Sequence, residues 1–179
     1  QMMLNHCRIP NVGVEAVGGT LSDHYDPRSG VIRLSQGVYG SSSIAAIGIA
    51  CHEAGHAAQH YEKYAPIKIR NAILPITNIG SSLGIPLAVI GLFAGFDFLV
   101  TIGLALYSLV AIFQLITLPV EFNASRRAVR IIEQSGMLDE DEKAGAQKVL
   151  TAAALTYVAA LAVSIANLLR LFLRFNRRR

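Results

Sequence analysis

Cysteine and charge are both scarce in this chain of 179 residues. The two cysteines, Cys7 and Cys51, have no metal-type spacing, so they imply neither a disulfide framework nor a cysteine-based zinc site. Charge is missing altogether from three long segments: residues 71–96, 98–120 and 149–169 contain no Lys, Arg, Asp or Glu. These uncharged segments are the first strong feature of the sequence.

Each uncharged segment is long enough to cross a hydrocarbon core of ~30 Å as a helix. Hydrophobic residues make up 53% of the chain and the mean hydropathy is +0.44. Three buried helices in a soluble core are the alternative, but a chain this short has too little polar sequence to cover them. We therefore predict a mainly α-helical, multi-pass integral membrane protein with about three transmembrane helices.

Basic residues account for the net charge of +4 and are concentrated partly in the last six residues, Arg174-Phe175-Asn176-Arg177-Arg178-Arg179. A basic end after an apolar helix is typical of contact with anionic lipid headgroups. The sequence has no basic patch interleaved with aromatic residues, the pattern that would indicate a nucleic-acid partner. The lipid bilayer is the predicted partner, and no nucleic-acid partner is expected.

The order of segments predicts a single membrane domain over residues 1–179. Its expected parts are a hairpin region (1–39), a metal helix (40–65), a two-span hairpin (71–120), membrane-proximal helices (121–148) and a third span (149–172). Residues 1–9 read as the end of a helix that starts further upstream, so an N-terminal piece is expected to precede this sequence.

A small β-hairpin is predicted over residues 20–34, after a short strand at residues 12–17. Asp26-Pro27-Arg28-Ser29-Gly30 has strong turn chemistry, and Val31, Ile32 and Leu34 favour a strand after it. The edge of such a strand could pair with an extended peptide. A purely structural hairpin is the alternative, and the sequence does not separate the two.

The segment His52-Glu53-Ala54-Gly55-His56 contains the pattern His-Glu-x-x-His. Residues four apart on a helix lie on one face, so His52 and His56 can each direct a ring nitrogen at one zinc ion. Glu53 lies beside that pair, where a carboxylate can act as general base. The alternative interpretation is that the two histidines are structural residues of the core with satisfied hydrogen bonds.

A catalytic zinc usually has three protein ligands, so a third ligand must come from elsewhere. Some zinc peptidases use a residue six positions after the second His, which here is Glu62, but Gln59 replaces the Gly that would turn the chain. His60 lies another helical turn along, too far to share the ion. Glu121 follows the two-span hairpin, whose short turn returns it to the same membrane side, and is the predicted third ligand.

Several segments together resemble the YugP-type membrane neutral zinc metallopeptidases. The resemblance rests on His52-Glu53-Ala54-Gly55-His56, Glu121-Phe122-Asn123-Ala124-Ser125-Arg126-Arg127-Ala128, residues 21–28 and 31–35, and Thr156-Tyr157-Val158. It implies a bacterial enzyme that is gluzincin-like, with His52, His56 and Glu121 as zinc ligands and Glu53 as base. More distant membrane gluzincins usually have Asp where this chain has Ser125, so a hydroxyl, Asn123 or a backbone carbonyl is expected to orient the zinc-bound His.

The expected reaction is hydrolysis of peptide bonds in a peptide or membrane-protein substrate. One zinc ion per chain would lower the pKa of its bound water, and Glu53 would take the proton and later protonate the leaving amine. Oxyanion stabilisation needs a further donor. The candidates are His24, Tyr25, His60, Arg126 and Tyr157.

Two other functions fit parts of the same sequence. A non-catalytic zinc-binding membrane scaffold would need a fourth protein ligand. A site-2-type intramembrane protease would need a later Asp-Gly motif, which is missing. Substrate identity and oligomeric state stay open.

Basic residues near the predicted site favour a cytoplasmic face in the bacterial cell membrane. They are Lys63, Lys68, Arg70, Arg126, Arg127, Arg130, Lys143 and Lys148. The third span then leaves the arginine tail on the opposite face, so the larger basic group decides the orientation.

Overall fold

The computed structural model describes residues 4–5, 7, 9 and 11–177, which contain four long helices and three short strands. The strands are β1 (Gly13–Val17), β2 (His24–Asp26) and β3 (Val31–Ser35). The helices are α1 (Ile44–Tyr61), α2 (Ala65–Ala94), α3 (Asp97–Ser135) and α4 (Glu140–Asn176). Most of the predicted helix at residues 1–9 lies outside the described residues, as do Arg178 and Arg179.

The strands form one sheet in the order β1-β3-β2. The predicted hairpin is present as the antiparallel pair β2 and β3, in which Tyr25 lies opposite Ile32. At the turn, the Asp26 carboxylate accepts hydrogen bonds from the Arg28 backbone N–H at 2.9 Å and the Ser29 hydroxyl at 2.8 Å. β1 pairs with the other side of β3 in parallel, which leaves β2 at one edge.

Helix α1 is shorter than the predicted helix over residues 40–65. It begins after Ser43, whose hydroxyl accepts a hydrogen bond from the Ala46 N–H at 3.2 Å and so acts as N-cap. It ends at Tyr61, and Lys63 has a positive φ of 56°, which turns the chain away. Pro66 lies in the first turn of α2, a position where its missing N–H costs nothing.

Helices α2, α3 and α4 are each long and apolar enough to cross a membrane. The predicted polar helix after residue 120 is the continuation of α3, which passes through Pro119 without ending. Gly136, at a φ of 64°, closes α3. Asp139 then caps α4, since its carboxylate accepts from the Glu142 N–H at 2.8 Å and Glu142 accepts from the Asp139 N–H at 3.0 Å.

The chain divides into two compact units. The first comprises residues 1–67 and 120–155, and the second comprises residues 68–119 and 156–179. The first unit therefore contains the sheet, α1 and the polar segments of α3 and α4. The prediction of one domain over residues 1–179 stays a prediction.

In the first unit, a hydrophobic core fills the space between the sheet, α1 and the polar part of α3. Ile32 and Leu34 enter it from β3, Cys51 and Ala54 from α1, and Ile132 from α3. The small residues of α1 allow close packing on this face. The other face of α1 carries the two histidines.

In the second unit, α2 and α3 meet at glycines. A Cβ atom built on Gly84 would lie 2.9 Å from the Tyr107 backbone nitrogen, closer than real Cβ atoms come. Small residues at such contacts are typical of membrane helices, whose association depends on close packing. Large apolar side chains such as Phe93 and Phe98 point outward from this unit.

Candidate metal centre

Three predicted site residues converge in the first unit. The Nε2 atoms of His52 and His56 lie 3.2 Å and 3.5 Å from the Oε2 atom of Glu121. The ligand atoms of all three side chains lie within 4.8 Å of one another. The structure thus brings together two residues of α1 and one residue 65 positions further along the chain (121 minus 56).

Gly55 permits this convergence. A Cβ atom at that position would lie 2.7 Å from the Ala124 carbonyl oxygen and 3.2 Å from its Cα atom. Helix α1 therefore lies directly against the backbone of α3, one turn after Glu121. Any larger residue at position 55 would push the two helices apart and draw the Glu121 carboxylate away from the histidines.

The three side chains fit a zinc ion in chemistry, and the two distances from the histidines to Glu121 fit it in spacing. Zinc in proteins is bound by His nitrogens and Glu oxygens in a tetrahedral arrangement. Two such ligand atoms, each ~2.0–2.1 Å from the ion, lie roughly 3.3 Å apart, which the observed 3.2 Å and 3.5 Å match. The group of potential metal ligands found among the described residues has three side chains, the number that a catalytic zinc with one open position requires.

Electrostatics hold Glu121 as a carboxylate although its side chain is only 2% exposed. Burial by itself raises the pKa of Glu121, but hydrogen bonds with His52 and His56 outweigh it and hold the pKa well below the usual range. The pKa of His56 is raised. Burial by itself lowers it, but the hydrogen bond and the negative charge of Glu121 outweigh the effect of burial. A buried anion thus faces two imidazoles, which is the charge pattern that a cation would complete.

Glu53 lies beside the three side chains and is nearly buried, with 8% of its surface exposed. Burial raises its pKa, and the neighbouring His56 and His52 partly oppose that rise. The backbone N–H of Tyr25, in the edge strand β2, favours the charged form of the same carboxylate. One strand of the predicted hairpin, β2, is therefore a neighbour of Glu53.

The outer ring nitrogens of the two histidines contact different partners. His52 Nδ1 lies 3.1 Å from the Ser125 hydroxyl, and His56 Nδ1 lies 3.0 Å from Gln59 Oε1. Ser125 is the expected hydroxyl. Gln59 was missed as a partner of His56, although its position three residues after His56 on the same helix was a usable signal.

The five candidate oxyanion donors have different surroundings. Tyr25 and His60 lie together, with ring centroids 5.4 Å apart. His24 is exposed and contacts the Ser22 carbonyl at 2.7 Å, while Arg126 lines a groove that also includes Ser125. Tyr157 belongs to the second unit. Tyr25 also contacts Glu53 through its backbone N–H.

Comparison with known proteins agrees with this geometry. The family described as "Putative neutral zinc metallopeptidase" matches residues 1–176. The chain is 50% identical over 165 residues to the Bacillus subtilis (strain 168) protein named "Putative membrane protease YugP", covering 92% of this chain and 73% of that protein. No solved structure matches the chain. This mainly helical membrane protein belongs to the neutral zinc metallopeptidase family.

Proposed function

We propose that the chain is a zinc-dependent, membrane-bound endopeptidase that holds one zinc ion through His52, His56 and Glu121. The observation that carries the proposal is the convergence of two imidazole nitrogens on one buried carboxylate oxygen, at 3.2 Å and 3.5 Å, beside the buried Glu53. A pair of purely structural histidines would not require a second buried carboxylate, Glu53, in addition to Glu121. Family membership supports the same activity.

The bound zinc would supply a Lewis acid that polarises a carbonyl and lowers the pKa of water. Glu53 is the general base, because its carboxylate lies next to the ligand set and is shielded from bulk solvent. It takes a proton during attack on the scissile carbonyl and delivers it to the leaving amine. The neighbouring Tyr25 backbone N–H favours the charged form of this carboxylate.

An extended segment of a peptide or membrane protein is the proposed substrate. Strand β2 lies at the edge of the sheet, and its residue Tyr25 neighbours Glu53. A peptide that pairs with such an edge is held by main-chain hydrogen bonds, which require an extended conformation rather than a particular sequence. We assign Tyr25 and His60 as the donors nearest to the bound substrate.

The proposed location is a bacterial cell membrane with the active site on the cytoplasmic face. The Bacillus subtilis relative and the basic residues around the metal helix support it. In oriented vesicles, a protease added on the cytoplasmic side should cleave within residues 137–145. Cleavage only from the opposite side would reverse the orientation.

The test separates metal binding from chemistry. Glu53→Gln should retain zinc in metal analysis of the purified full chain and should lose peptide hydrolysis, because the amide cannot take the proton. Glu121→Gln should lose both. Hydrolysis retained by Glu53→Gln would exclude its role as base, and an unchanged zinc content in Glu121→Gln would exclude it as a ligand.

A fourth protein ligand would favour the zinc scaffold instead. The potential ligand group found among the described residues stops at three, so no specific observation favours that function. A zinc-loaded protein that cleaves no peptide or membrane-protein substrate, with a fourth side chain on the ion in an experimental structure, would establish the scaffold.

A further inference from the structure

A line of hydrogen bonds connects His56 to the outer surface of α3. His56 Nδ1 contacts Gln59 Oε1 at 3.0 Å, and Gln59 Nε2 donates to Asn123 Oδ1 at 3.0 Å. Asn123 Oδ1 also accepts from Arg127 Nε at 2.8 Å, and Arg127 binds the Glu62 carboxylate through two bonds of 2.7 Å. We call Gln59, Asn123 and Arg127 the amide relay.

The direction of every hydrogen bond in the amide relay follows from Arg127. A guanidinium only donates, so the Asn123 atom that faces Arg127 must be the amide oxygen. Gln59 must then present its NH₂ group to that oxygen. The second hydrogen of the same NH₂ group goes to the Val120 carbonyl at 2.7 Å, which also can only accept.

With its NH₂ group committed to two acceptors, Gln59 can offer His56 only its oxygen. His56 Nδ1 must therefore carry a hydrogen and donate it. In a neutral imidazole the other nitrogen, Nε2, then has the free lone pair, and Nε2 is the atom that points at Glu121. A permanent charge at the surface of α3 thus sets the hydrogen position on a ring two side chains away.

Burial makes the opposite arrangement costly. Gln59 has no exposed surface and Val120 is also fully buried. Turning the Gln59 amide over would place its oxygen against the Val120 and Asn123 oxygens and leave buried polar groups without hydrogen bonds, which is unfavourable. A relay whose members are all satisfied holds one arrangement.

His52 provides an internal comparison. Its Nδ1 atom faces the Ser125 hydroxyl at 3.1 Å, and a hydroxyl can donate or accept. Ser125 therefore holds the His52 ring in place without dictating which nitrogen carries the hydrogen. The two histidines are alike in the sequence motif and differ in how their hydrogens are set.

We propose that Gln59, oriented by Asn123 and Arg127, is a positioning residue that fixes the hydrogen of His56 on Nδ1 and presents Nε2 as the metal ligand. This inference rests on the proposed zinc site. Gln59 acts only through His56 and touches neither metal nor substrate. Partners of this kind typically change metal affinity by about 10–100-fold.

The first experiment uses the full chain in detergent and measures zinc affinity by competition with a chelator. Gln59→Leu replaces the amide by an apolar side chain of similar size and should weaken zinc binding about 10–100-fold. Thermal unfolding of the metal-free protein shows whether the variant folds. A folded Gln59→Leu protein with unchanged zinc affinity overturns the proposal.

A spectroscopic readout follows the ring hydrogens directly. Proton NMR of the cobalt(II)-loaded wild-type protein should show one shifted, exchangeable imidazole N–H signal for each histidine bound through Nε2. Gln59→Leu should lose the His56 signal or make it exchange rapidly, and the matched Ser125→Ala variant should affect the His52 signal alone. Two unchanged signals in Gln59→Leu overturn the proposal.

Asn123 supplies a test that does not depend on altering Gln59. Asn123→Asp keeps oxygens that accept from both Gln59 and Arg127, so zinc affinity should stay within about threefold of wild type, well inside the effect of losing such a partner. Asn123→Leu removes the acceptor and should weaken zinc binding about 10-fold or more. Equal affinities for the two variants overturn the relay.

Failure of the relay and failure of the proposed function give different results. A wild-type protein that binds zinc, shows both N–H signals and cleaves no substrate refutes the peptidase and leaves the relay supported. A wild-type protein that cleaves substrate while Gln59→Leu and Asn123→Leu bind zinc normally refutes only the relay. Failure of the wild type to bind zinc or cobalt refutes both.

Discussion

Two of the close glycine contacts that helix α3 makes have different consequences. In the second unit, Gly84 of α2 lies against the backbone of Tyr107, and the contact brings two apolar helices together. In the first unit, Gly55 of α1 lies against the backbone of Ala124, and the contact places Glu121 beside His52. A glycine packed against a helix backbone thus brings two helices together in the second unit, and in the first unit it also brings buried polar side chains together.

The surroundings of the two contacts explain the difference. The second unit turns large apolar side chains outward, with Phe93 87% exposed, because lipid is an adequate solvent for them. The first unit buries polar side chains, with Gln59 fully covered and Glu121 2% exposed. Buried polar groups must be paired, so the close approach in the first unit carries geometric demands that the second does not have.

The largest expected effect comes from Gly55→Ala. The added Cβ would lie 2.7 Å from the Ala124 carbonyl oxygen, so the helices must separate and zinc affinity should fall more than about 100-fold, beyond the loss of a partner that only orients a ligand. Gly48→Ala on the same helix is the matched control, since its Cβ would meet Leu150 at an ordinary 3.8 Å. Chelator competition measures both, and equal zinc affinity in the two variants would show that close helix contact does not position Glu121.

Gly84→Ala tests the other contact. Its Cβ would come within 2.9 Å of the Tyr107 backbone nitrogen, and overpacking of this kind costs about 1–3 kcal/mol. We expect a lower thermal unfolding temperature in detergent, while the folded protein keeps its zinc affinity. Loss of zinc affinity comparable to that of Gly55→Ala would mean that the two contacts are not separable.

Much of the fold could be predicted from the sequence because its signals are local. Charge-free segments mark α2, α3 and α4, and Asp139 with Glu142 marks the start of α4. The His-Glu-x-x-His spacing also needs only one helix. These features depend on neighbours within a few residues, so no knowledge of long-range packing is required.

Other features depend on contacts between distant segments. The pairing of β1 with β3 and the close approach at Gly55 arise only once the helices and strands pack. Gln59 looked like a departure from the Gly of related motifs, and its hydrogen bonds to Val120 and Asn123 join residues about 60 positions apart. The assignment of His52, His56 and Glu121 as zinc ligands itself stays a prediction until metal is measured.

A moderate effect is expected from Asp139→Ala at the start of α4. The Asp139 carboxylate accepts the Glu142 N–H at 2.8 Å, and losing an N-cap costs about 1 kcal/mol. The variant should unfold at a slightly lower temperature with unchanged zinc affinity. Asp141→Ala, in the same first turn, is the control, because it lacks the capping role and should unfold within error of wild type. Equal losses in the two variants would assign the effect to first-turn charge instead.

The smallest effect is expected at the Glu62–Arg127 pair, in which Arg127 is the outer end of the amide relay. The hydrogen bonds from Arg127 hold the pKa of Glu62 below its ordinary 4.5. A carboxyl whose pKa is lower in the folded protein stabilises it above its unfolded pKa, and the contribution disappears as pH falls through the folded value. Stability should therefore drop as pH is lowered below about 4.5, through the window between these two values.

Glu62→Gln should remove this part of the pH dependence. Since half of the Glu62 side chain is exposed, solvent screens the pair and the loss at neutral pH should stay within about 1 kcal/mol. Thermal unfolding from pH 3 to pH 7 measures it, with Glu140→Gln as control for another exposed pair. Arg127 still donates to Asn123 in Glu62→Gln, so zinc affinity should be unchanged. A clear loss of zinc affinity would mean that Arg127 needs its carboxylate partner to hold Asn123 in place. The exposed Glu62 would then also contribute to the geometry of the buried polar group in the first unit.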